Sequence, residues 1–166
     1  MLNYKDVANA FDFENTAQQM LSGSLDALNA CFECCDRHVD GEKVALYWQG
    51  KDGRKEQYTF AQFKQWSSQF ANFLKSQGVQ AGDRISGLLP RTPELIVTIL
   101  AAWRIGAVYQ PLFTAFGPKA IEHRIQTAKT QLIVTNTQQR PKLNALSDVK
   151  ILTVDAANQN QNHDAD

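Results

Sequence analysis

Residues 82–125, GDRISGLLPRTPELIVTILAAWRIGAVYQPLFTAFGPKAIEHRI, alternate short apolar runs with helix-start signals. The pattern predicts a strand at 84–89. Thr92, Pro93 and Glu94 then supply an N-cap, a first-turn proline and an acid that favours the helix dipole. The helix they open runs to about Ile105, is apolar nearly all round and is expected to be deeply buried; Gly106 ends it. Further on, the pattern predicts a strand at 108–113, a helix opened by Gly117 and Pro118 and reaching about Lys129, and a strand at 131–135. A short helix at 141–146 and a last strand at 150–154 complete it. Strands separated by helices of ten or more residues imply right-handed crossovers and a mostly parallel sheet. The class is therefore α/β: a mostly parallel sheet of at least four strands flanked by helices, with a small antiparallel hairpin and an N-terminal helical lead-in.

The hairpin is read from KVALYW at 43–48 and EQYTF at 56–60, separated by a turn containing Asp52 and Gly53. Thr59 and Gln62 form the two ends of a capping box for a long helix. Its expected apolar face is Phe60, Phe63, Trp66, Phe70, Phe73 and Leu74, and Gly78 stops it. Upstream, 1–20 reads as a peripheral helix and 26–37 as a second helix. The expected organisation is a helical lead-in at 1–42, an α/β unit at 43–155 and a polar disordered end at 156–166.

Charge narrows the function. Lys plus Arg and Asp plus Glu number 17 each, so there is no basic excess to favour nucleic acid or an anionic membrane. The N-terminus has neither the basic start nor the apolar core of a signal peptide, and the longest apolar run, 95–103, is too short to span a bilayer. A cytoplasmic protein is expected, with no nucleic-acid or membrane partner. Cys31, Cys34 and Cys35 have no distant cysteine to pair with. Helical spacing would set them and His38 on one face, a ligand set suited to zinc; the competing reading is small apolar side chains facing the core.

Four motifs then point to a family. NACFECCDRH at 29–38 ends in Asp36, Arg37 and His38; Gly82, Asp83 and Arg84 precede the first parallel strand. Pro90, Pro93 and Glu94 mark the next corner, and Arg104 to Val108, RIGAV, the one after. In this order and spacing they resemble the adenylate-forming superfamily of acyl-CoA synthetases, luciferases and peptide-synthetase adenylation domains. The likeness is nearest to the AMP-forming acetyl-CoA synthetase type and covers only the opening part of such a ligase. The resemblance implies an enzyme that activates a small aliphatic carboxylate with ATP and Mg²⁺, then transfers the acyl group to coenzyme A.

It also implies that the phosphate-binding Ser/Thr/Gly-rich loop, the hinge aspartate and the catalytic lysine lie further along a full-length chain. No such loop stands in these 166 residues, so the chain alone is expected to be inactive, with no catalytic residue and no certain cofactor of its own. The rest of the ligase would cover its exposed surface. What the family places here is part of the coenzyme A subsite. By position this is Phe113, Thr114 and Ala115 of the loop ending at Phe116 and Gly117, followed by a basic pair nearest to Arg140 and Lys142. Relatives often carry small residues where Thr114 and Ala115 stand. Two cations suit a 3′-phosphate, and a solvated loop with ordinary charges is the other reading. A free-standing α/β module that binds coenzyme A or a nucleotide without catalysis is the alternative function, and a purely structural remnant the third. Arg91 reads as surface charge, His123 and Arg124 as pairing with neighbours such as Glu122 or with solvent, and Trp66 and Trp103 as core. Ser67 and Ser68 have no histidine and acid beside them to make a nucleophile.

Overall fold

The computed structural model describes residues 3–154; the expected polar end at 156–166 lies outside the described residues. Four parallel strands form the main sheet: β3 (Arg84–Leu88), β4 (Val108–Pro111), β5 (Leu132–Thr135) and β6 (Lys150–Thr153), in the order β4-β3-β5-β6. β1 (Val44–Gln49) and β2 (Lys55–Thr59) make a separate antiparallel pair. The hairpin turns through Gly53, whose φ of +85° lies in the region only glycine enters freely.

Helices cover both faces of the main sheet. α4 (Phe60–Ser76) and α5 (Pro93–Arg104) pack on one face around Ala71, Leu74, Ile85, Ala101, Ala102 and Val134. α6 (Pro118–Ala128) and a 3-10 turn at Arg140–Leu143 cover the other, around Leu88, Ile121, Ile133 and Leu143. The hairpin and a short helix, α3 (Ala30–Cys34), lie outside α4 and α5, burying Cys31, Cys35, Phe63 and Leu100. β3 and β5 are the two inner strands and are almost wholly buried, whereas β4 is an edge strand and so tolerates Pro111, which has no N–H to give.

The capping box forms as read: Thr59 Oγ1 accepts from the Gln62 amide at 3.2 Å, and Gln62 Oε1 accepts from the Thr59 amide at 2.8 Å. Other expectations need correction. The lead-in is two helices, α1 (Tyr4–Ala10) and α2 (Phe13–Met20), because Asp12 leaves the helix to cap the second at the Asn15 amide. The helix expected at 26–37 is broken into a 3-10 turn at Leu25–Ala27, α3, and a 3-10 turn at Asp36–His38. Asn29 breaks it: its oxygen caps the Phe32 amide while its nitrogen donates to the Trp103 and Arg104 carbonyls. On α4, Phe73 is 40% exposed, and Ser67 and Ala71 take the buried positions. α5 is less enclosed than its composition implies, since Ile96, Val97 and Ile99 are only half-buried. The helix at 141–146 is the 3-10 turn already named, and β4 stops at Pro111 rather than 113.

Gly87 sits in β3 where the phenol of Tyr109 crosses from β4. A Cβ at Gly87 would stand 2.9 Å from the ring's Cε2 and Cζ, and closer still to its hydroxyl. That hydroxyl is buried with no hydrogen-bond partner among the described residues, and burial pushes its pKa up to about 12. Gly87→Ala is therefore expected to destabilise the protein by about 1–3 kcal/mol through overpacking. Tyr109→Phe should be nearly neutral, because it removes an unsatisfied group. Urea denaturation of both variants checks this; Gly87→Ala unfolding at the wild-type midpoint would show that the ring does not fill the space. No helix among the described residues is long and apolar enough to cross a membrane.

Candidate functional site

The carboxyl ends of the parallel strands carry the loops where an open α/β sheet presents its ligand crevice. After β4 the chain is pinned by Leu112, which is buried and donates its amide to the Gly87 carbonyl at 3.0 Å. A turn follows, closed by the Phe116 amide on the Phe113 carbonyl at 2.9 Å. It leaves Phe113 59% exposed, with Thr114 and Ala115 at its tip. The two phenyl rings meet edge to face, 5.8 Å between centroids. Gly117 then begins α6 without a side-chain cap, so the first amides of that helix are open to an acceptor.

The 3-10 turn after β5 comes to this loop from the neighbouring strand. Lys142 Nζ donates to the Thr114 carbonyl, so two of the expected site residues meet directly. Arg140, on the same turn, donates from Nη1 to Asn144 Oδ1 at 2.9 Å and contacts its own turn rather than the loop. Phe113 and Ala115 flank the meeting point. Arg124 was read as pairing with Glu122 or solvent; instead its guanidinium lies 4.2 Å from the Phe116 centroid and donates to the Ala120 carbonyl at 3.0 Å. Arg91 is exposed, and its carbonyl accepts from Trp48 Nε1 at 2.9 Å, which ties the hairpin to the corner after β3.

A second polar cluster joins two of the sequence motifs. Arg104 donates from Nη1 and Nη2 to the two carboxylate oxygens of Asp36, each at 2.7 Å, and from Nη2 to Ser67 Oγ at 2.9 Å. The Asp36 hydrogen bonds raise the guanidinium above its ordinary range. Nothing in the local sequence foretold the pairing, because the partners stand 68 residues apart. The cysteines and His38 do not share a face. Cys31 and Cys35 are buried, which pushes their thiols up to about 11 and about 12, while Cys34 is exposed. His38 packs its ring against Phe60 at 5.4 Å. The chain leaves the helix at Cys35, with φ −132° and ψ −64°, and this splits the set. Among the described residues no three His, Cys, Asp or Glu side chains converge to hold a metal ion.

Two cavities open beside α5. One of about 360 Å³ lies between β2, α4 and the start of α5, with Arg54, Glu56, Tyr58 and Glu94 at its polar side. The other, of about 270 Å³, is an apolar groove bounded by Cys34, Leu46, Phe60, Ile96, Ile99 and Trp103. Neither contains an expected site residue.

A parallel sheet covered on both faces, with its candidate loops at the strand carboxyl ends, is the α/β class that binds ligands in that crevice. Within this class the chain belongs to the AMP-binding enzyme family, whose model matches residues 33–166. Acetyl-coenzyme A synthetase of Bacillus subtilis (strain 168) is 36% identical over 141 residues, which are 82% of this chain and 24% of that protein. The enzyme of the same name from Psychromonas ingrahamii is 42% identical over 116 residues, 68% of this chain and 18% of its own length. A crystal structure of Brucella canis acyl-CoA synthetase superposes with a TM-score of 0.89 at 45% identity, covering 96% of this chain and 30% of that one. The chain thus spans about a quarter or less of these curated relatives.

Proposed function

We propose that these residues are the N-terminal part of an AMP-forming acyl-CoA synthetase, an acid–thiol ligase that activates a small carboxylate with ATP and passes it to coenzyme A. The observation that carries the reading is the 45% identity and 0.89 TM-score against the acyl-CoA synthetase, over nearly the whole chain. Residues 43–155 are its first α/β unit and 1–42 its lead-in, in a cytoplasmic enzyme with no nucleic-acid or membrane partner. Exposed apolar surface such as the groove along Ile96 and Ile99 is covered by the remainder of the ligase. Mg²⁺ would accompany ATP in the complete enzyme. The described residues offer no metal-holding cluster.

Within that enzyme the segment supplies the coenzyme A subsite: Phe113, Thr114 and Ala115 in the loop, with Arg140 and Lys142 beside it. Exposed Phe113 offers a face to the nucleotide base, the uncapped start of α6 offers amides and a positive dipole end to phosphate, and the cations add charge. Losing both cations, at about 1 kcal/mol each whether the cation touches phosphate or holds the loop, would weaken binding by about tenfold or more. The Arg140→Ala/Lys142→Ala variant of the intact synthetase should accordingly raise the apparent KM for coenzyme A by at least that factor at moderate salt. Carboxylate-dependent ATP–pyrophosphate exchange should change little. An unaltered coenzyme A dependence would return both residues to a solvated loop.

A further inference from the structure

We propose that Arg124 and Lys142 are positioning residues that brace the loop at 113–117 from two sides, and that Arg140 alone of the basic pair is left to meet phosphate. The inference rests on the coenzyme A reading and divides its residues by role. Lys142 hooks the tip of the loop: one of the three N–H groups of its ammonium is bonded to the Thr114 carbonyl, which draws the side chain onto the loop's backbone. Arg124 holds the base of the loop. Its guanidinium covers the Phe116 ring at 4.2 Å and is steadied by the Ala120 carbonyl.

The helix turn that carries Arg124 is itself tied down. Gln110 Nε2 donates to the Arg124 carbonyl at 3.3 Å, and Gln110 Oε1 accepts from the hydroxyls of Ser86 and Thr130. Position therefore passes from the sheet to Gln110, to α6, to Phe116, and through the edge-to-face contact to exposed Phe113. A cation held over an aromatic face in this way favours one loop shape over others. Arg140 differs from Lys142 in its partner: among the described residues its bond is from Nη1 to Asn144 on its own turn, and it makes none to the loop. A guanidinium has further N–H groups to offer to a phosphate.

Dephospho-coenzyme A, which lacks the 3′-phosphate, separates a phosphate contact from a loop brace. In the intact synthetase, Arg140→Ala should raise the KM for coenzyme A about fivefold and leave that for dephospho-coenzyme A nearly unchanged. Lys142→Met and Arg124→Met should raise both KM values by a similar factor, about threefold to tenfold, with ATP–pyrophosphate exchange near wild type. Arg124→Lys, which keeps a cation over Phe116, should recover much of the loss. If Lys142→Met affects coenzyme A alone, Lys142 is a phosphate contact and its bracing role is wrong. If Arg124→Met leaves both KM values unchanged, or lowers both half-reactions in parallel with thermal stability, the brace is overturned. If Phe113→Ala and Arg140→Ala both leave coenzyme A kinetics untouched, it is the coenzyme A reading that fails.

Discussion

Asp36→Ala is expected to destabilise the protein by about 3 kcal/mol, because it strands the Arg104 guanidinium in a largely buried site. The side chains are 10% and 20% exposed, and both nitrogens of the Arg104 fork are bonded to the carboxylate. Among the described residues, removing Asp36 leaves only Ser67 Oγ to accept from the guanidinium, whose Nε has no partner there even in the wild type. The neighbouring amide of Asn29 is donor to the Trp103 and Arg104 carbonyls and offers no replacement charge. Urea denaturation at neutral pH measures the loss. The double change Asp36→Ala/Arg104→Met should be more stable than Asp36→Ala, since no buried charge then remains alone. By contrast the Arg54–Asp52 pair is 65% and 54% exposed, and breaking it should leave the urea midpoint nearly unchanged. A wild-type midpoint for Asp36→Ala would mean that water or another group reaches Arg104 readily.

The polypeptide 1–166 on its own is expected to show no carboxylate-dependent ATP–pyrophosphate exchange, while a longer ligase that contains it does. Adenylation concentrates charge on the phosphate being transferred, and it needs fixed donors and a cation aimed at that charge. Among the described residues there is neither a Ser/Thr/Gly-rich loop at a strand end nor a metal-holding cluster. The loop after β4, 113–117, presents one exposed ring and a few amides, too little for transfer of the adenylyl group. The effect is the whole of the activity, measured as labelled pyrophosphate entering ATP. Exchange well above background from the purified 166 residues would overturn both the division of labour and the account of which groups adenylation needs.

What could be read from the linear chain was whatever local chemistry dictates. Thr59 and Gln62 announce a helix start because their hydrogen bonds close within one turn. Gly78 and Gly106 end helices at φ of +87° and +74°, where a Cβ would be strained. The strand–helix alternation admits few topologies, so a parallel sheet followed from it, and the loop after β4 could be placed at a strand end in advance. Pairing across the sequence was another matter. Asp36 and Arg104 each look like ordinary helix-end charges until folding sets them together, and Asn29 interrupts a helix only because the carbonyls it reaches belong to α5. Lys142 and Arg140 are alike as sequence, two cations on one polar turn. Only the approach of the Thr114 carbonyl on one side, and of Asn144 on the other, gives them different partners. Local hydrogen bonds and backbone sterics act over a few residues and leave their mark in the order of the letters, whereas the packing of distant segments is decided by the shape they make together.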